Sequence, residues 1–255
     1  MTQNLGKIAL VTGSSRGLGK DMALQLADKG FDVVITYQSK KAEGDEVVSA
    51  IKAKGRKAKA FQLDVAQNNS FDAFVANLIS VLKIEFNKDR IDALVNNARA
   101  GVYANFEETT EKQFDTMLNI HLKAPFFLTQ KLLPLFQDGG SIVNISSGLT
   151  RFSYTGYEAY ATMKGGVETL TQYQARYLGS RGIRVNVLAP GAIETDFGGG
   201  AVRDNPEMNK MISSLTALGR VGQPDDIGSV VAFLCSDESK WVNAQRIEVS
   251  GGIYA

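Results

Sequence analysis

The chain is poor in the residues that hold metals and disulfides: among 255 residues there is one cysteine, Cys235, and one histidine, His121. A lone cysteine forms no internal disulfide, and its setting after the apolar run Val230 to Leu234 predicts a small core residue rather than a nucleophile. The same scarcity argues against any metal site built on His and Cys. Neither sign of charge is in excess, with 28 Lys and Arg against 27 Asp and Glu, so the basic stripe of a nucleic-acid binder is missing. The one basic run, Lys52, Lys54, Arg56, Lys57 and Lys59, reads as the solvated end of a helix and the turn after it. No apolar run approaches the ~18 residues of a membrane span. No basic segment with a long apolar stretch precedes the strand-like Ile8-Ala9-Leu10-Val11, so no secretory leader is expected. Together these absences predict a soluble, cytoplasmic protein without metal, nucleic acid or membrane as partner.

What is present is an ordinary globular composition, 44% apolar and 22% charged, long enough to bury a large core without staples. Short β-rich runs at 7–11, 32–37, 58–63, 91–95, 141–146, 183–188 and 245–249 alternate with helical patterns near 17–29, 41–54, 69–86, 111–136, 157–180 and 224–235. Most of the strand runs are continuously apolar, as strands covered on both faces are. In the first helix Leu18, Met22, Leu26 and Ala27 share one stripe, and Gly30 stands where a C-terminal cap belongs. With no repeat or Pro-rich linker, residues 1–255 are expected to form one domain. Its class is α/β, a doubly wound parallel sheet of seven strands with helices on both faces. Ligands in such sheets bind beyond the carboxyl ends of the strands, so the chemistry is expected in those loops.

The first such loop is Thr12-Gly13-Ser14-Ser15-Arg16-Gly17-Leu18-Gly19, between the first strand and the first helix. Glycines let backbone approach a ligand, and the free N–H groups of a helix start suit a pyrophosphate. A bare glycine pattern is as often a plain tight turn; the strand–loop–helix context is what favours a dinucleotide. The second strand ends in Tyr37-Gln38-Ser39-Lys40-Lys41, and Tyr37 occupies the place where an NAD site usually carries Asp or Glu for the ribose 2′-OH. A carboxylate there would repel a 2′-phosphate. Its absence, with Arg16, Lys40 and Lys41 nearby, favours NADP(H) over NAD(H), the alternative being ordinary solvated cations.

Asn96-Asn97-Ala98 follows the fourth strand and suits a close turn against a cofactor. Ser146-Ser147 ends the fifth, and Tyr160 with Lys164 lies on the helix that follows, one turn apart and on one face. A Tyr-x-x-x-Lys pair is common by chance; its place after a serine-ended strand, on the edge shared with the glycines, is what matters. After the sixth strand, Pro190-Gly191-Ala192-Ile193-Glu194-Thr195 offers backbone amides and a hydroxyl that could hold a nicotinamide carboxamide, against the plain reading as a Pro-Gly turn.

In this order and at these intervals, the glycine loop, Asp64-Val65, NNA, Asn119, Ser147, YATMK and PGAIET resemble the short-chain dehydrogenase/reductase family in its single-domain subgroup. The resemblance extends through Gly219 to Ile227 and Gly251-Gly252, and is nearest to the 3-oxoacyl-carrier-protein reductases and glucose-dehydrogenase-like enzymes. It implies a Rossmann fold and a catalytic set of Asn119, Ser147, Tyr160 and Lys164. Ser147 would hold the substrate carbonyl oxygen, Tyr160 would protonate it, Lys164 would bind the nicotinamide ribose and lower the Tyr160 pKa, and Asn119 would anchor a water chain. The cofactor contacts implied are Gly13, Ser15, Arg16, Gly17, Leu18, Gly19, Tyr37, Ser39, Lys40, Asp64, Val65, Asn97, Ala98, Tyr160, Lys164, Pro190, Gly191, Ile193 and Thr195. A lowered Tyr160 pKa is physically reasonable, because a nearby ammonium and a positive nicotinamide both favour phenolate over a phenol of pKa ~10.

Two positions depart from the family. Arg99 replaces the glycine of NNAG, and its long cation is expected to reach a phosphate or solvent, or to crowd the ribose. Ser250 replaces the aspartate before the terminal Gly-Gly. His121 is expected to be structural rather than an acid or base. The function expected is an oxidoreductase passing a hydride between NADP(H) and a carbonyl or alcohol. Its substrate would be a 3-oxoacyl thioester, free or carrier-linked, or another small ketone. Arg176 is too slight a feature to choose a carrier protein. The alternatives are a non-catalytic nucleotide sensor and an epimerase or dehydratase on the same fold. Segment 196–218, with Gly198-Gly199-Gly200, reads as a mobile flap over the substrate, and a homotetramer is implied by the resemblance alone.

Overall fold

The computed structural model describes residues 6–255. In chain order its first half runs β1 (Ile8–Val11), α1 (Gly17–Asp28), β2 (Asp32–Tyr37), α2 (Lys41–Ala53), β3 (Ala58–Gln62), α3 (Phe71–Val81) and β4 (Ile91–Asn96). The second half runs α4 (Glu111–Leu118), α5 (Ala124–Leu132), β5 (Phe136–Ile145), α6 (Glu158–Leu178), β6 (Arg184–Pro190), α7 (Ala201–Asp204), α8 (Pro206–Ser214), α9 (Pro224–Cys235) and β7 (Arg246–Val249). The seven strands form one sheet in the order β3-β2-β1-β4-β5-β6-β7, every neighbouring pair parallel. This is the doubly wound sheet expected, a single domain with a Rossmann arrangement.

Strand alternation decides which layer each side chain joins. Ala9 and Val11 of β1 face a core closed by Leu18, Met22 and Leu26 of α1, Val47 and Ile51 of α2, and Ile227 to Cys235 of α9. Ile8 and Leu10 face the opposite core, closed by α3, α5 and α6 through Phe71, Phe74, Leu128, Leu132, Ala175 and Leu178. Both faces are apolar, so a parallel strand carries no polar alternation. Cys235 is a buried core residue whose thiol pKa burial pushes up to about 12, so no reactive thiolate forms.

Three expected elements differ in detail. The helix expected over 69–86 is a short 3₁₀ turn, then α3, then a wider π turn at Leu82–Phe86 that ends on Asn87 with φ 56°. The helix expected over 111–136 is broken: α4 stops at Leu118, Asn119–Lys123 forms a π turn, and α5 gives way to a 3₁₀ turn and then to β5, which begins at Phe136. Pro134 bars the helix from continuing, and Gly139 with φ 80° sits in an irregular stretch that lengthens β5. Segment 196–218 is a glycine turn followed by α7 and α8. Among the described residues no helix is long and apolar enough to cross a membrane, and no His, Cys, Asp and Glu cluster could hold a metal.

Sheet order reverses between β1 and β4. The loops after β1, β4, β5 and β6 therefore open into one crevice, the usual ligand position in such sheets.

Candidate active site

The glycine loop is fixed on three sides. Thr12 Oγ1 accepts the backbone N–H groups of Asn97 and Ala98, both at 3.0 Å, which ties β1 to the loop after β4. The Asn97 side-chain amide donates to the Thr12 and Gly13 carbonyls at 2.9 and 3.0 Å. Ser14 Oγ donates to Val11 O and accepts from Thr36 N, which joins the loop to β2. Two glycines are required here. Gly13 has φ 61°, and a Cβ there would stand 2.7 Å from the Ala98 Cα. A Cβ on Gly19 would press into the Gly13 carbonyl oxygen and the Asn97 amide. Backbone this close to backbone leaves the first N–H groups of α1 open towards the crevice.

At the end of β2, the Tyr37 ring is buried and leans on Gly44 of α2, where a Cβ would be 3.1 Å away. Ser39 and Lys40 are exposed. Lys41 is held by Asp45 at 2.6 Å, and Arg16 reaches Asp196 at 3.4 Å. Asp64 Oδ1 accepts from Ala66 N, which fixes the turn after β3 beside buried Val65.

Ser147, Tyr160 and Lys164 meet in the crevice, and all three line it. Tyr160 and Lys164 come from the start of α6 and are nearly fully buried. Ser147 hydrogen-bonds the Tyr160 phenol, and the Lys164 ammonium lies 5.5 Å from the centre of the Tyr160 ring. Lys164 Nζ donates to Ile145 O at 2.7 Å. Asn119 stands apart from these three: it opens the π turn behind α6 and does not line the crevice. The same π turn sets His121 edge-on to Tyr160, with ring centres 4.9 Å apart. His121 Nε2 donates to Ala100 O at 2.7 Å, while burial and the Lys164 charge hold its pKa well below the usual value. A neutral, buried ring of this kind packs the phenol and exchanges no proton at neutral pH.

Burial dominates the electrostatics of the pair. Burial, the largest influence, pushes the Tyr160 pKa up to about 12, against a downward pull from Arg99 and the Ser147 hydrogen bond. Burial also pulls Lys164 down to about 7, helped by the positive Arg99. The protein's own groups therefore favour a neutral phenol and a readily deprotonated amine.

Two sets of residues were not legible from motifs. Glu168 Oε1 accepts from Ser146 Oγ and Thr150 Oγ1, both at 2.7 Å, and from Arg246 Nε at 2.8 Å. Arg246 also donates to Ser147 O at 3.3 Å. This hub holds the Ser146-Ser147 turn from α6 and β7, and it gives Ser146 a structural task. Its members are up to 100 residues apart in the chain, so no local pattern signals it. Ser250 joins the edge of the network by donating to Glu248 Oε1 at 2.8 Å. The second set is the wall of the crevice, an open cavity of about 190 Å³ lined by Phe152, Tyr154, Tyr157 and Phe197 and by Met208 and Met211 of α8. The close sequence spacing of Tyr154, Tyr157 and Tyr160 was the one available hint of it.

Of the courses open to Arg99, solvent is not the one it takes. Its guanidinium crosses the crevice, donates to Thr195 Oγ1 at 3.0 Å, and stacks 5.2 Å from the centre of the Phe197 ring. Thr195 is buried just after β6, beside Pro190, Gly191 and Ile193, which also line the crevice.

A strand–glycine–helix cradle, a serine–tyrosine–lysine cluster and a threonine loop on one sheet edge define a dinucleotide-dependent oxidoreductase fold, and comparison with known proteins agrees. Residues 13–254 match the family described as enoyl-(acyl carrier protein) reductase, and the chain belongs to the short-chain dehydrogenase/reductase family. It is 39% identical over 250 residues to a 3-oxoacyl-[acyl-carrier-protein] reductase FabG of Staphylococcus aureus, covering 97% of this chain and 98% of that protein. It is also 39% identical over 253 residues to an uncharacterized oxidoreductase of Methylorubrum extorquens, covering 99% and 100%. Among solved structures, the reductase LugOII, which catalyses keto-reduction at C1 during lugdunomycin biosynthesis, superposes with a TM-score of 0.94 at 38% identity and full coverage of both chains. The angucycline C-6 ketoreductase LanV with bound NADP superposes with a TM-score of 0.94 at 36% identity, covering 99% and 97%.

Proposed function

We propose that the protein is an NADPH-dependent ketone reductase acting on hydrophobic, ring-bearing or acyl ketones. The observation that carries this reading is the meeting of Ser147, Tyr160 and Lys164 at the floor of an apolar, aromatic-walled crevice that opens beside the glycine cradle. The residues fit a dinucleotide: Gly13 and Gly19 leave backbone where any side chain would intrude, and the start of α1 faces the gap. Gly13, Ser15, Arg16, Gly17, Leu18 and Gly19 would hold the pyrophosphate. Asp64, Val65, Asn97 and Ala98 would flank the adenine side. Pro190, Gly191, Ile193 and Thr195 would flank the nicotinamide. The bound cofactor supplies the hydride.

The chain's own groups do the rest. The Ser147 hydroxyl donates to the substrate carbonyl oxygen and fixes it against the phenol. Tyr160 is protonated throughout the neutral range, the form needed to give a proton to that oxygen as it becomes an alcohol. Lys164 holds the ribose edge, and Asn119 supports the proton return from behind α6. Phe197, Met208 and Met211 exclude water, and segment 196–218 acts as the lid. NADPH is favoured over NADH because β2 ends in Tyr37 and exposed Lys40 rather than in a carboxylate, and because LanV binds NADP.

A homotetramer and a cytoplasmic location belong to the same reading. Exposed Phe126 and Phe127 of α5 and Tyr173 and Tyr177 of α6 are apolar surface of the kind a subunit contact covers, and the scarcity of cysteine suits a reducing compartment.

The test is an NADPH-oxidation screen across acetoacetyl and longer 3-oxoacyl thioesters, polycyclic aromatic ketones, sugars and crotonyl thioester, repeated with NADH. Turnover of apolar ketones, with NADPH preferred, is expected. Turnover confined to the enoyl thioester or to sugars, or equal use of NADH, would overturn the reading.

A further inference from the structure

Arg99 is a cation with no ion-pair partner of its own, its charge favoured only at a distance, by Tyr160 and Asp196. Among the described residues no carboxylate pairs with it, and of the five N–H groups on its guanidinium one makes a protein hydrogen bond, to Thr195. Its guanidinium is partly buried in the crevice, and burial, the largest influence, lowers its pKa together with Arg16, against an opposing pull from Tyr160 and Asp196. Asp196 is already shared with Arg16 and Arg203, so an anion entering the cleft would find the remaining donors of the Arg99 fork available.

The position says where that anion would be. Arg99 leaves the carboxyl end of β4, next to the loop after β1, at the point where sheet order reverses. A Cβ added to Gly17, the first residue of α1, would stand 3.4 Å from Arg99 Nη2. The guanidinium therefore lies against the start of α1, on the side towards Thr195. The open N–H groups of that helix start and the planar fork of Arg99 border the same gap. Phe197 and Thr195 hold the fork in place beforehand, so little ordering is left for the moment of binding.

We propose that Arg99 is a ligand for the cofactor's pyrophosphate, contacting it from the Thr195 side of the gap at the start of α1. The inference rests on the dinucleotide reading above and is independent of the preference for NADPH over NADH, since both carry the pyrophosphate. It also gives Thr195 two states. In the free protein its hydroxyl accepts from Arg99; once the fork turns to phosphate, the hydroxyl is released for the nicotinamide side.

The experiment measures dissociation constants of NADPH and NADH by fluorescence for the wild type, Arg99→Gln, Arg99→Lys and Lys40→Ala, with inorganic pyrophosphate as a competitor. A charge-assisted contact of this kind predicts a loss of about tenfold for both nucleotides in Arg99→Gln. Arg99→Lys should lose less, because it keeps the charge without the fork. Pyrophosphate should displace NADPH less readily from Arg99→Gln than from the wild type. Lys40→Ala should weaken NADPH alone. Should Arg99→Gln bind both nucleotides within twofold of the wild type, or more tightly, Arg99 is not a pyrophosphate ligand. If Arg99→Gln does not fold, as judged by its melting curve, equal affinity in Arg99→Lys and the wild type, with no difference in pyrophosphate competition, overturns the proposal. If the wild type binds neither nucleotide, the dinucleotide reading itself fails and this inference falls with it.

Discussion

The two halves of the crevice are built on opposite plans. On the glycine side, backbone meets backbone: Thr12, Ser14 and Asn97 tie three strands together, and two glycines are held where a single carbon would not fit. On the substrate side, rings and methionines line an open space, and the chain enters the flap through Gly198, Gly199 and Gly200, all with positive φ. The first plan tolerates no change of shape and suits a ligand that never varies. The second tolerates many apolar shapes, because dispersion contacts are individually weak and undirected. A fixed cofactor seat next to an adaptable substrate wall explains how one fold serves many ketones, and why the cofactor can be argued residue by residue while the substrate is argued only by class.

The contrast breaks first at the point where the two halves meet. Tyr160→Phe removes the proton donor and keeps the ring that His121, Tyr157 and Phe197 pack against. The expected loss in kcat is about 10²–10⁴-fold, with nucleotide affinity nearly unchanged. Near-normal turnover on a confirmed substrate would mean that another group protonates the oxygen.

A test of the rigid half alone comes next. Gly19→Ala should weaken NADPH by about 100-fold or prevent stable folding, since the added methyl meets the Gly13 carbonyl and the Asn97 amide, neither of which is the free end of a flexible side chain. A binding titration and a melting curve separate the two results. Affinity within a few fold, with an unchanged melting point, would show that the cradle is more yielding than the geometry implies. An alanine at Phe197, in the adaptable half, should instead act mainly through the KM of the ketone.

The sequence carried the rigid half well, because its rules are local. Continuous apolar strands, glycines at a strand–helix junction and Tyr160 one turn before Lys164 are each set by neighbours within a few residues. What it did not carry depends on distant partners. The π turns at Leu82–Phe86 and Asn119–Lys123 each widen a helix without altering its apolar stripe, so periodicity passes over them. The direction of Arg99 depends on Thr195 and Phe197, nearly 100 residues away. Burial also outweighed the charge argument made from Lys164. The sequence places an ammonium one turn from the phenol, but the fold points that ammonium at Ile145 O and dries both groups together.

That drying leaves a signature in stability, smaller than the effects on catalysis. The Lys164 pKa falls to about 7 in the folded protein, while an unfolded chain keeps it near 10.5. Between these values the unfolded chain holds one proton more, so stability should rise with pH by at most about 1.4 kcal/mol per pH unit. The contribution is complete above the unfolded value and is lost as pH falls through 7. Tyr160 acts in the opposite sense, but only above pH ~10, where its unfolded form begins to ionise and its folded form does not. Urea midpoints at pH 7, 8 and 9 isolate the lysine. Lys164→Met should remove this rise, and it should be no less stable than the wild type at pH 7, because it no longer buries an amine. Parallel pH profiles for the two proteins would show that water reaches Lys164 in the free enzyme, and that the dry floor of the crevice forms only when the cofactor and the lid close over it.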